Sequence, residues 1–241
     1  MHALQQSAVP EALRGFQTIL PEPPSLSMCK DSPKMAMPQQ AHSNLLLLLH
    51  GAGDLEGAFV KFAKHLKLPQ TVCMALRGPD KLPFEMEGRL WFPLFEPSGN
   101  LIQARVGERR RLNGLLRTRR LLQKLVQQLC NLGWPLHRIF LLGFSQGAIA
   151  AVDFALHHSV DEDKDTEGKP TATGRRLGGV VAISSSLLPE HCLGNSKQRV
   201  SQKVASTPML ITHGTADDTV PLSEARKHAE QVKSYVETEE R

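Results

Sequence analysis

Apolar residues are concentrated in short runs along the chain. Five such runs occupy residues 45–49, 71–76, 138–142, 179–184 and 209–212. Glycine, proline or polar residues bound most of them. A short, almost wholly apolar run with such boundaries is typical of a strand that is buried on both faces of a parallel sheet.

Longer segments with helical spacing of apolar residues lie between these runs. They cover residues 57–67, 107–132, 147–158 and 221–236. Gly133 stands where the second of these helices should end. Strands that alternate with helices predict an α/β fold, with a mostly parallel central sheet and helices on both faces.

The chain has 241 residues, which is enough for one sizeable core. Residues 1–42 are rich in proline, glutamine and serine, and we expect a flexible leader there in which a short strand at residues 16–20 is possible. Residues 43–241 are expected to form one domain without repeats. The polar stretch at residues 161–176 has the composition of a surface insertion.

The net charge of +5 owes much to arginine at positions 109, 110, 111, 117, 119 and 120. We interpret this run as the solvated face of a helix. Binding to nucleic acid or to an anionic membrane surface is the alternative, but no nucleic-acid-binding motif accompanies the run.

The cysteines and the apolar content indicate the cellular compartment. Four widely spaced cysteines without a CxxC pair disfavour both a metal site and a disulfide framework. The longest apolar run is too short to span a membrane, and residues 1–6 lack the pattern of a signal peptide. We therefore expect a cytoplasmic protein.

A Gly-x-Ser-x-Gly motif, at residues 143–147, follows a predicted strand and opens a predicted helix. This strand–turn–helix context is the one that a nucleophile elbow requires, and glycine at both ends permits a sharp turn. We predict that Ser145 is a nucleophile held at the carboxyl end of the sheet.

Two further loops supply candidate partners for Ser145. The His-Gly-Ala-Gly loop at residues 50–53 follows the first buried strand, and we expect the N–H groups of Ala52 and Gln146 to form an oxyanion hole. A phosphate-binding turn is the alternative for this loop, but the lysine of a P-loop is absent. Asp217 and Asp218, which follow the last strand, both qualify as the acid of a triad, or as a cap of the next helix.

These motifs, together with Trp91-Phe92 and His-Gly-x-x-Asp-x-x-Val-Pro at residues 213–221, resemble the phospholipase/carboxylesterase family over about residues 44–236. That family includes acyl-protein thioesterases and lysophospholipases. The resemblance implies an α/β-hydrolase fold without metal or cofactor, and a substrate that is an acyl ester or thioester, such as a lipidated protein or a lysophospholipid. It also implies roles for particular residues: Ser145 as nucleophile, Asp217 as acid, Ala52 and Gln146 as oxyanion donors, and Trp91 and Phe92 beside the acyl site.

The sequence departs from the family pattern in three places. Pro93 replaces the aspartate that usually follows Trp-Phe, and the insertion at residues 161–176 is longer than usual. In addition, the family histidine follows the acid after one more strand, whereas this sequence ends 24 residues after Asp217, at Arg241. We therefore expect that the last strand and helix are missing and that a sheet edge is exposed.

No histidine in the sequence is a convincing base. His228 lies in a charged helical stretch and is expected to be exposed, while His50 and His213 are expected to be structural. His157 and His158 lie at the far end of the helix that follows Ser145. Two hypotheses remain: a serine hydrolase whose C-terminal segment is absent, or a catalytically impaired or non-catalytic binding protein on the same fold.

Overall fold

The computed structural model describes residues 17–19, 44–84, 86–103, 105, 108–158, 176–185, 187–188, 190 and 207–237. The insertion predicted at residues 161–176 therefore lies outside the described residues except for its last position. The strands are β1 (Gln17–Ile19), β2 (Asn44–Leu49), β3 (Thr71–Leu76), β4 (Asp80–Lys81), β5 (Arg89–Leu90), β6 (Ile139–Phe144), β7 (Gly179–Ile183) and β8 (Met209–Thr212). The α-helices are α1 (Glu56–Leu66), α2 (Arg110–Asn131), α3 (Gln146–His157) and α4 (Leu222–Glu237).

The central sheet has the strand order β1-β3-β2-β6-β7-β8. All its pairs are parallel except β1 with β3, which is antiparallel. β1 lies within the predicted leader, so that part of the leader belongs to the sheet, and the rest lies outside the described residues. Because β2, β6, β7 and β8 are parallel, the loops that carry the predicted site residues all leave the same edge of the sheet.

Alternate side chains of β2 serve two separate parts of the core. Leu45, Leu47 and Leu49 pack in a large cluster that includes Leu122 of α2 and Phe154 of α3. Leu46 and Leu48 pack on the opposite face with Ala63 and other apolar residues of α1. This arrangement explains why the strand is apolar throughout, and it confirms the prediction of helices on both faces.

A two-stranded ribbon, β4 with β5, lies between β3 and α2, where the sequence shows no predicted strand or helix. Its strands have two residues each, which is too short to produce a hydrophobic period. The ribbon leads into Trp91 and Phe92, whose side chains are buried in the core. At the other end of the sheet, β8 pairs with β7 alone among the described residues, and Leu210 is more than half exposed.

The arginines of α2 divide into two groups. Arg110 and Arg117 are half exposed and pair with Glu108, Glu96 and Asp80, as the solvated-face interpretation predicts. That interpretation is wrong for Arg111 and Arg119, which are largely buried and pair with buried carboxylates. Among the described helices, none is both long and apolar enough to cross a membrane.

Candidate active site

Ser145 occupies a sharp turn between β6 and α3. Its φ of 49° and ψ of −117° place it in a region of backbone space that residues with a side chain rarely adopt. Its N–H donates to the carbonyl oxygen of Ile183 at the end of β7, with 2.9 Å between the heavy atoms. Ser145 is thus held, half buried, at the carboxyl edge of the sheet where α3 begins.

The two glycines of the motif are required by close backbone approach. A Cβ atom on Gly143 would lie 2.5 Å from the Cα of Ala148, and one on Gly147 would lie 2.4 Å from the carbonyl oxygen of Leu49. Both neighbours are backbone atoms that cannot move aside independently. Gly143 therefore permits the tight contact between the end of β6 and α3, and Gly147 permits the one between α3 and the end of β2.

His50, at the end of β2, is fully buried and holds its own loop in place. Its Nε2 accepts the N–H of Gly78 at 3.0 Å, so Nδ1 carries the proton and donates to the carbonyl oxygen of Gly51 at 2.7 Å. Burial is the main reason why the pKa of His50 lies below 6.5. The ring is therefore neutral at pH 7 and structural, in agreement with the sequence-based interpretation.

The N–H groups of Ala52 and Gln146 stand at this edge without a hydrogen-bond acceptor in the described part of the chain. Ala52 is exposed on the loop after β2, and Gln146 is the first residue of α3. Free N–H groups at a helix start carry partial positive charge and attract an anionic oxygen. Their role as oxyanion donors stays a prediction.

The side chain of Gln146 makes a pair of contacts that the sequence did not indicate. Its Oε1 accepts the N–H of Trp91 at 2.8 Å, and its Nε2 donates to the carbonyl oxygen of Phe92 at 2.7 Å. The indole N–H of Trp91 donates to the carbonyl oxygen of His50 at 2.8 Å. Trp91 and Phe92 are thus core residues beside the elbow, and their predicted contact with an acyl chain stays a prediction.

Asp217 lies in the loop after β8, where its Oδ1 accepts the N–H groups of Thr219 at 2.9 Å and Val220 at 3.0 Å. These two bonds, with a smaller contribution from the hydroxyl of Ser184, lower the pKa of Asp217 below 3.8. Asp218 is exposed. The Oδ1 bonds of Asp217 are to residues before α4, and the N–H groups of Glu224 and Ala225 bond to the carbonyl oxygen of Pro221, so no cap of α4 by either aspartate is seen among the described residues.

His213 closes the loop that carries Asp217. Its Nε2 donates to the carbonyl oxygen of Val220 at 2.7 Å and lies 3.6 Å from Asp217 Oδ2. Its Nδ1 is buried and has no hydrogen-bond partner among the described residues. These contacts agree with the structural role expected for His213.

A short chain of contacts connects the serine with the acid. The N–H of Ser145 bonds to Ile183, the next residue is Ser184, and the hydroxyl of Ser184 contacts Asp217. Ser184 itself has a φ of 52°, and its N–H donates to Thr212 at 2.9 Å. The structure therefore brings the loops after β6, β7 and β8 together at the carboxyl ends of these strands.

No histidine within the described ranges hydrogen-bonds to Ser145. His157 and His158 bond to carbonyl oxygens of their own helix, at the end of α3 far from Ser145. The expectation that His228 is exposed is wrong, because its side chain is half buried. Its Nδ1 is buried and has no hydrogen-bond partner in the described ranges, and burial lowers its pKa. It shares a helix face with the buried Ala225 and Val232, which explains its burial. The described residues also contain no cluster of three or more possible metal ligands.

The mostly parallel sheet, with a strained serine between a strand and a helix, defines an α/β-hydrolase. The chain belongs to the phospholipase/carboxylesterase family, whose model matches residues 30–241. An uncharacterised hydrolase of Mycosarcoma maydis is 28% identical over 187 residues, which are 76% of this chain and 61% of that protein. Acyl-protein thioesterase 1 of Cryptococcus neoformans var. neoformans serotype D is 28% identical over 82% of this chain and 74% of its own.

An uncharacterised hydrolase of Schizosaccharomyces pombe is 31% identical over 61% of this chain and 57% of its own length. The chain thus spans about 60% of this relative and of the Mycosarcoma one. Among solved structures, Zea mays acyl-protein thioesterase 2 has a TM-score of 0.58 at 19% identity, covering 91% of this chain and 84% of that one. Esterase PE8 has a TM-score of 0.59 at 23% identity, with 80% and 79% covered. At these identities the structures show the fold alone.

Proposed function

We propose that the protein is a serine hydrolase of carboxylic esters or thioesters that forms an acyl-enzyme at Ser145. The observation that carries the proposal is the strained backbone of Ser145 at the carboxyl edge of the sheet. Backbone strain of this kind persists where the surrounding structure enforces it, and it is concentrated at functional sites. Membership of a hydrolase family supports the same reaction class.

The reaction would proceed in two steps. Ser145 Oγ attacks the acyl carbonyl carbon, its proton passes to a base, and the N–H groups of Ala52 and Gln146 stabilise the negative oxygen. The alcohol or thiol then leaves with a proton, and water releases the acid from the acyl-enzyme. One missing oxyanion donor typically costs about 2.7–4 kcal/mol of barrier.

Asp217 is suited to orient a histidine in this reaction. Its Oδ1 is occupied by two backbone N–H groups, so Oδ2 is the oxygen left for an imidazole N–H. Its lowered pKa keeps it ionised at neutral pH, which is the state that stabilises an imidazolium. The name of one relative, acyl-protein thioesterase 1, supports an acyl-protein substrate, and the phospholipase name of the family supports a lysophospholipid. A cytoplasmic location stays an expectation.

A second candidate function is binding of acyl groups without turnover. It is favoured by one observation: Ser145 Oγ has no hydrogen-bond partner among the described side chains. Serine is a weak nucleophile without an adjacent base. In a well-studied protease, loss of the triad histidine alone costs about 2 × 10⁶ in kcat.

A fluorophosphonate probe distinguishes the two functions. The 241-residue chain is incubated with the probe alongside Ser145→Ala, and labelling is followed over time with and without added imidazole. Serine-dependent labelling without imidazole supports a complete hydrolase. Labelling that appears only with imidazole, an external base, supports the second function, binding of acyl groups without turnover. Labelling of Ser145→Ala contradicts the role of Ser145 in both candidate functions.

A further inference from the structure

The segment at residues 89–92, at the end of the ribbon, contacts both halves of the proposed oxyanion hole. On one side lies the loop after β2, which carries Ala52. On the other side lies the start of α3, which carries Gln146. These two elements are joined to this segment by five hydrogen bonds, all from described residues.

The loop after β2 is held to this segment at three points. The N–H of Gly53 donates to the carbonyl oxygen of Arg89 at 2.9 Å, and the N–H of Arg89 donates to the backbone carbonyl oxygen of Asp54 at 3.0 Å. The indole N–H of Trp91 donates to His50 at 2.8 Å. Ala52 lies between the residues so fixed, and its N–H has no acceptor among the described atoms.

The start of α3 is held at two points, both through one side chain. The amide of Gln146 accepts from Trp91 and donates to Phe92, as a paired strand would. Gln146 is only 3% exposed, so water does not compete for these bonds. Its backbone N–H, at the helix start, has no acceptor within the described part of the chain.

Trp91 therefore bridges the two donors. Its backbone N–H bonds to Gln146, its indole N–H bonds to His50, and its carbonyl oxygen accepts the hydroxyl of the buried Thr118. Its ring also packs against the imidazole of His50, with 5.2 Å between centroids. Trp91 thus contacts both elements, with its indole on the His50 side and with its backbone on the Gln146 side.

We propose that the Trp91 indole and the Gln146 side chain are positioning residues that set the separation of the Ala52 and Gln146 N–H groups. This inference rests on the proposed function, because it concerns the oxyanion hole of that reaction. Oxyanion donors act only when they lie about 2.7–3.1 Å from the developing negative oxygen. A misplacement of about 1 Å in such a site can cost about 100-fold in rate.

The test measures fluorophosphonate labelling of Ser145 over a range of probe concentrations, which separates the maximal rate kinact from the binding constant KI. The probe's phosphoryl oxygen takes the place of the oxyanion while Oγ displaces fluoride. Trp91→Phe keeps an aromatic ring but removes the bond to His50. Trp134→Phe is the matched control, because Trp134 is the other tryptophan and packs against the same core.

We expect Trp91→Phe to lower kinact about 10- to 100-fold, with KI within about twofold, while Trp134→Phe leaves both within about twofold. Gln146→Met, which keeps the backbone N–H but loses both side-chain bonds, should show the same selective loss if Trp91→Phe does not fold. Equal kinact in wild type and in either folded positioning variant overturns the inference alone. Absence of serine-dependent labelling in wild type, even with imidazole, overturns the proposed function and this inference with it.

Discussion

Arg119 of α2 and Asp153 of α3 form a bidentate ion pair, with Nε 2.8 Å from Oδ2 and Nη2 2.6 Å from Oδ1. Both side chains are largely buried, at 13% and 2% exposure. The pair joins α2 to the helix whose first turn carries the elbow. It thus couples the packing of the core to the position of the candidate nucleophile.

Removing one partner of this pair should be strongly destabilising. Asp153→Asn leaves the Arg119 guanidinium buried without a counter-charge, and we expect a loss of about 3–5 kcal/mol in the free energy of unfolding. Chemical denaturation measures this loss. Asp80→Asn is the control, because its partner Arg117 is half exposed and such pairs contribute only about 0–1 kcal/mol. Similar losses in the two variants would show that the buried pair contributes no more to the free energy of unfolding than the half-exposed pair.

The glycines of the elbow should not tolerate a methyl group. Gly143→Ala and Gly147→Ala each bring Cβ within 2.5 Å of a backbone atom, so we expect a loss of at least about 1–3 kcal/mol and of Ser145 labelling. Gly57→Ala is the control: it lies in α1 with no atom within 4 Å of the new Cβ. That variant should be more stable by roughly 0.5–1 kcal/mol. A well-folded, fully labelled Gly147→Ala chain would contradict the close approach of α3 to β2.

His50 should make folding sensitive to mild acid. Its pKa in the folded protein lies below 6.5, the ordinary value that the unfolded chain has. Between the folded-state pKa and 6.5, the unfolded chain therefore binds more protons than the folded chain. The contribution of His50 to the free energy of unfolding is therefore fully present above about pH 6.5, and it falls as the pH drops towards the folded-state pKa. Denaturation of wild type and His50→Gln from pH 8 to pH 5 measures this effect.

Gln at position 50 keeps an acceptor for the N–H of Gly78 but does not titrate. The stability difference between wild type and His50→Gln should therefore change with pH, even though His228, whose pKa is also lowered, acts with the same sign in both proteins. A difference that stays constant over this range would mean that His50 is not the responsible group.

Asp217 should titrate below its ordinary range. The N–H groups of Val220 and Thr219 hold its folded-state pKa below 3.8, so its contribution to stability is present above that value and is lost as the pH falls through the folded pKa. Asp217→Asn keeps an acceptor oxygen for the turn but no charge, and its stability deficit should shrink in acid. Carboxyl NMR titration gives the pKa directly, with the exposed Asp218→Asn as a control that leaves the Asp217 titration unchanged.

The core strands and all four α-helices could be predicted within a few residues from the sequence. Buried strands such as β2 and β3 consist of short apolar runs with clear boundaries, so composition alone identifies them. The ribbon could not be predicted in this way, because β4 and β5 have two residues each and are defined by pairing between distant positions.

The site could be predicted only as far as local motifs extend. The elbow and the acid loop are continuous in sequence, whereas the partners of the Gln146 side chain are backbone atoms 54 and 55 residues away. The burial of Arg119 has the same origin, since its carboxylate partner lies 34 residues along the chain. Residue type does not encode such long-range contacts.

The strain at Ser145 should be measurable as stability. Glycine adopts a φ of 49° without the steric cost that a Cβ atom incurs, so Ser145→Gly should raise the free energy of unfolding by about 1 kcal/mol or more, whereas Ser145→Ala keeps the Cβ atom and the strain. Both variants lose the hydroxyl, so their difference isolates the backbone term. Ser98→Gly, at an exposed position without a positive φ, should instead be neutral or destabilising. If Ser145→Gly is no more stable than Ser145→Ala, the turn stores no strain and the main support for Ser145 as nucleophile is lost.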